Sequence, residues 1–102
     1  MQDWPFASPP DETVITLTRI LTGPSTVLLV THDDDDDSWQ FLDGGHAFER
    51  DAVVVELGEM IALDPSLSQL ADLPIGWYAW RSEESHDWKR AEGEPPADLI
   101  SP

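Results

Sequence analysis

The chain has no cysteine. Disulfides, thiol nucleophiles and cysteine-ligated zinc are excluded with it. Cations are scarce: five Lys and Arg stand against 21 Asp and Glu, a formal net charge of −16 at pH 7 over 102 residues. So few cations cannot neutralise a run of phosphates, so binding to nucleic acid is not expected. Docking on anionic lipid is disfavoured for the same reason. No apolar run is long enough to span a bilayer, so no membrane contact is expected. The opening "MQDWPFASPP" has neither a basic n-region nor an apolar h-region, so no signal peptide is expected. A cytoplasmic address follows from those two readings.

What is present is apolar and aromatic. The hydrophobic fraction is 40%, with five Trp, three Phe and one Tyr. That is too much for a disordered chain. The length suits one domain over residues 1–102 with one modest core. Residues 1–11 read as a Pro-rich lead-in, pinned by Trp4 and Phe6. Residues 91–102 read as a frayed tail.

Between these ends the pattern alternates strand and turn. Thr13–Leu21, "TVITLTRIL", is β-branched and reads as a strand. Gly23 and Pro24 break it. Thr26–His32 is a short apolar run, the mark of a strand buried on both faces. In Ser38–Asp43, Trp39 and Phe41 alternate with Gln40 and Leu42, and the two strands make a hairpin tipped by Asp33–Asp37. Ala52–Glu56 reads as a strand, followed by a helical turn over Leu57–Leu63. Asp64 and Pro65 suit the start of a helix whose buried stripe is Leu67, Leu70 and Ala71, ended by Pro74. Ile75–Glu83 is an aromatic strand, with Ser85–Arg90 as its hairpin partner. The expected fold is α+β: an antiparallel twisted sheet of about five or six strands with one or two short helices on one face.

The order of these pieces is itself a pattern. "DSWQFLDG" (Asp37, Ser38, Trp39, Phe41, Leu42, Gly44), then "DPSL" (Asp64, Pro65, Leu67), then "PIG" (Pro74, Ile75, Gly76) resembles a small bacterial family of unknown function. Relatives of that family lie beside polymorphic toxins and are grouped as candidate immunity proteins. The likeness runs from Val27 to Arg81. It departs from the family at Gln40 and at Trp80, where phenylalanine is usual. It implies a small α+β domain that binds another protein and brings no catalytic residues.

As a calcium loop starting at Asp33, the aspartate run needs Gly at its sixth position and Glu at its twelfth. Ser38 and Gly44 stand there. The run reads instead as a solvated hairpin tip that discourages edge pairing. His32, Asp43 and His46 flank the hairpin and form an alternative set for zinc or iron, making a metal-binding module or metal-dependent enzyme the second reading. "GGHAFERDAVVVELGEM" lacks the glutamates of a nucleotide-diphosphate hydrolase box. No G-x-S-x-G elbow exists. DNA mimicry would need paired carboxylates along one surface, and no such spacing is seen.

The aromatic strand is more telling. Trp77 and Ala79 share one face; Tyr78 and Trp80 share the other. Helices can cover only one of them, which leaves the second for a partner, a second subunit or the folded-back Trp4–Phe6 segment. The expected function is therefore non-enzymatic and without a cofactor: binding of another protein, by charge a basic one. The expected surface joins Trp39, Trp77, Tyr78 and Trp80 to carboxylates at Asp33, Asp34, Asp35, Asp36 and Asp37, with Glu83 and Glu84 beside them. A homodimer is compatible with it.

Overall fold

β-Branched and aromatic segments separated by Gly, Pro and Asp should pair as strands, and they do. The computed structural model describes residues 4–23, 25–33, 38–44, 49–82 and 87–95. Six strands form one sheet: β1 (Thr13–Leu17), β2 (Leu29–His32), β3 (Trp39–Leu42), β4 (Ala52–Glu56), β5 (Trp77–Trp80) and β6 (Lys89–Glu92). Their spatial order is β4-β1-β3-β2-β5-β6. The fold is α+β, with four antiparallel ladders and one parallel pair, β1 with β3. The parallel pair arises because β1 inserts between β4 and the β2–β3 hairpin. Thr16, fully buried, secures it by donating its hydroxyl to the Phe41 carbonyl at 2.8 Å.

Strand β1 is shorter than the sequence suggested. The chain turns at Thr18 into the four-residue helix α1 (Thr18–Leu21). The ladder with β4 ends at Leu17 opposite Ala52, so residues beyond Leu17 have no rung to join. Turning inward buries Ile20 and swings Arg19 onto Asp43. β2 likewise begins at Leu29 rather than Thr26. β4 and the following helix α2 (Leu57–Leu63) keep the expected bounds. Pro65–Leu70 forms a 3-10 helix; the Asp64 carboxylate accepts from the Ser66 amide at 3.1 Å, as a capping residue should. β6 extends past the expected partner segment Ser85–Arg90: Lys89 and Arg90 pair with β5 as expected, Ala91 and Glu92 continue the ladder, and Ser85 and His86 lie outside the described residues.

Topology decides where the helices go. The chain leaves β4 at one edge and must return as β5, four strand positions away, roughly 19 Å at the usual strand spacing. Helix α2 and the 3-10 helix fill that crossing and press on one face of the sheet. Leu57, Met60, Leu67 and Leu70 are fully buried there against Val14, Val30, Phe41 and Ala79. Each such side chain contributes roughly 1.5–3 kcal/mol.

The lead-in joins the same core. Phe6 is buried and meets Trp39 edge-on at 5.4 Å. It does not fold over the opposite face, one of the options left open by the sequence. Residues 10–12 are held beside α2, because Leu57 and Gly58 donate their amides to the carbonyls of Glu12 and Pro10, both at 2.8 Å. Gly58 permits this approach: a Cβ there would stand 3.2 Å from the Pro10 carbonyl oxygen. Among the described residues no helix is long and apolar enough to cross a membrane.

Candidate protein-binding surface

The hairpin register places Asp33, the first residue of the acidic run. β2 and β3 pair from Leu29 opposite Leu42 to His32 opposite Trp39. One step further, the Asp33 amide donates to the Ser38 carbonyl at 2.8 Å and closes the loop. Asp33 thus extends the ladder one step past His32. Asp34, Asp35, Asp36, Asp37, His46, Glu83 and Glu84 lie outside the described residues.

The four aromatics expected on one surface are divided by the strand alternation. Trp39 is 2% exposed and sits in the core between Phe6 and His32, so it is not available to a partner. Trp77 lies on the helix-covered face near its rim and is half-buried. Tyr78 and Trp80 lie on the opposite face with their rings stacked at 5.3 Å. Trp80 is half-buried, whereas Tyr78 is only 7% exposed and offers a partner little.

Asp33 and Trp77 do come together. They border a cleft of about 350 Å³ at the tip end of the sheet, with Gln40, Gly76 and Glu94. Glycine turns shape it. Gly76 has φ 87° and donates its amide to the His32 carbonyl at 2.7 Å; Gly93 has φ 99° and donates to the Gly76 carbonyl at 2.7 Å. Only glycine adopts these angles readily. An indole and two carboxylates around one cleft match a guanidinium or alkylammonium group, which an aromatic face and negative charge both attract. Sequence reasoning missed Glu94, because residues 91–102 read as tail and no pattern within "KRAE" marks a strand. A second cleft, about 330 Å³, opens beside it between Ser8, Glu12, Ile75 and the His32–Trp39 pair.

The geometry separates two of the three candidate metal ligands, and the third, His46, lies outside the described residues. His32 and Asp43 stand at opposite ends of the hairpin ladder. His32 is buried, stacked on Trp39 at 3.9 Å, with Nδ1 2.8 Å from the Leu73 carbonyl. A carbonyl only accepts, so Nδ1 carries the proton and donates it to Leu73. Asp43 is held by both the Nε and NH2 groups of Arg19, at 2.6 and 2.8 Å. That bidentate bond, with the charges of Asp43 and Asp51, raises the Arg19 pKa further despite some desolvation. Among the described residues, no group of three His, Asp or Glu could hold a metal ion.

Three of the five cations pair with carboxylates of the chain itself. Arg19 pairs with Asp43, Arg81 with Asp64, and Arg90 with Asp72. Arg81 is the most enclosed, 6% exposed. It donates to the Val27 carbonyl, the Ser66 hydroxyl and the Asp64 carboxylate at 3.1, 2.9 and 2.9 Å, and lies 4.3 Å from the Trp88 ring centre. Arg50, Lys89 and Arg90 lie at the surface, where carboxylates outnumber them. No protein-family model matches the chain, and neither a curated protein nor a solved structure matches it.

Proposed function

We propose that this protein is a non-catalytic, cytoplasmic binding domain that holds a basic protein partner, in the manner of the immunity proteins its "DSWQFLDG", "DPSL" and "PIG" segments resemble. The observation that carries the reading is the cleft where Asp33, Glu94 and Trp77 meet on a chain of charge −16. A Lys or Arg of the partner enters it, with the ring packing on the alkyl stem or guanidinium plane. The remaining carboxylates speed encounter by attracting the partner from a distance.

The test is stopped-flow association with a basic toxin domain encoded beside the gene, across a range of ionic strength. The on-rate falls steeply as salt rises, and Asp33→Asn with Glu94→Gln slows it further. An on-rate indifferent to both would refute the proposal.

A further inference from the structure

The two edges of the sheet are unlike. At one edge β6 reads Lys89-Arg90-Ala91-Glu92, charged at three of four positions. Charge along an edge is a usual defence against strand addition. At the other edge β4 reads Ala52-Val53-Val54-Val55-Glu56. It has no proline, lysine or glycine, and its ladder with β1 runs unbroken from Thr13 opposite Glu56 to Leu17 opposite Ala52, without a bulge. Among the described residues no strand pairs with its outer side. Val54 is 67% exposed, the most exposed of the large apolar side chains described. An unbroken, β-branched, unguarded edge is a template for one more strand.

Charge selects the occupant. The Glu56 end of this edge gathers Asp11, Glu12, Glu56 and Glu59, all exposed. They are brought together because the amides of Leu57 and Gly58 tie residues 10–12 to the start of α2. A second copy of a chain of charge −16 would bring like charge to that corner. We propose that β4 captures an extended segment of the basic partner, adding it to the sheet as a seventh strand with an apolar residue over Val54 and a Lys or Arg beside Glu56. This rests on the protein-binding reading and names the element through which the partner is held. The main-chain ladder supplies affinity, and the acidic corner fixes which end of the strand lies where.

The test uses the full-length chain labelled with ¹⁵N and a capped peptide of alternating valine and lysine. At ten times its Kd, exchange of those Val53–Val55 amides that point outward slows about tenfold, the protection that mass action gives. The same peptide with glutamate for lysine, or with N-methylated backbone, gives none. Val54→Lys removes the protection with the unfolding midpoint retained. Equal binding of the lysine and glutamate peptides, or shifts that avoid β4, overturns the inference. So does concentration-dependent protection of β4 without peptide, which assigns the edge to a second copy. Salt-dependent association with a basic partner through the Asp33–Glu94 cleft is read in a separate assay, so either reading can fail alone.

Discussion

Arg81 reaches back 17 residues to set its guanidinium 2.9 Å from the Asp64 carboxylate, with its own side chain 3% exposed. Asp64 caps the 3-10 helix with its other oxygen, which also accepts from the Ser66 hydroxyl at 2.6 Å. One carboxylate therefore ties the crossing segment to the end of β5. The "DPS" triplet and the arginine after "WYAW" are parts of a single joint.

Removing that arginine should be costly. Arg81→Ala leaves the Val27 carbonyl and a partly enclosed Asp64 unpaired, and is expected to lose about 3–5 kcal/mol. Arg81→Lys keeps the charge but not the planar fork, and should recover only part. Urea unfolding measures both. A cycle with Asp64→Ala should show strong non-additivity, because the two side chains share one interaction. Additive losses would show that the joint is not a unit.

His32 should behave as a core residue. His32→Ala forfeits the stack on Trp39 and leaves the Leu73 carbonyl without its donor, at about 2 kcal/mol. Calorimetric titration of the native chain with Zn²⁺ should return no stoichiometric heat. Tight zinc binding that His32→Ala abolished would restore the metal reading.

The Asp72–Arg90 pair sets an acid-side dependence. The hydrogen bond from Arg90, then its charge, lowers the Asp72 pKa below the usual carboxylate value. The unfolded chain thus binds this proton at higher pH than the folded one. The pair's contribution is present above the unfolded pKa and lost as pH falls through the folded one. NMR titration should place the Asp72 midpoint below that of an ordinary aspartate. Arg90→Gln should return it to the normal range.

Gly76 tests the cleft. At φ 87° an L side chain is strained, so Gly76→Ala should cost about 1–2 kcal/mol. It should also disturb the two amide bonds that join His32, Gly76 and Gly93. Affinity for a basic partner should fall with it, whereas Ile75→Ser, on the exposed side of the same turn, should leave stability nearly unchanged.

Local chemistry made much of this legible. Alternation revealed β3 and β5, the Asp64-Pro65 pair revealed the start of the 3-10 helix, and three valines before Leu57 marked the switch from β4 to α2. Long-range choices were not legible. Nothing in "TVITL" says that it will lie parallel to β3, because the bond from Thr16 to the Phe41 carbonyl depends on both strands being in place. The turn into α1 was hidden for a similar reason: its cause is the end of the β4 ladder, far away in sequence. At the site, alternation correctly separated Trp77 from Tyr78 and Trp80. It could not reveal that Trp39 would be spent on the core, nor that Glu94 would return to stand near Asp33.

The position of β1 also sets an order of events in time. Both of its neighbours, β3 and β4, are synthesised after it, while β2–β3 and β5–β6 join strands adjacent in the chain. Local hairpins close in microseconds, whereas a strand awaiting distant partners must first accept the entropy of a long loop. The first strand made is accordingly among the last to be held. Pulse-labelled exchange during refolding should find the amides of Val30 and Phe41 protected before those of Val14 and Thr16, and on the ribosome β1 has no partner until β3 has emerged and is not flanked on both sides until Glu56 has.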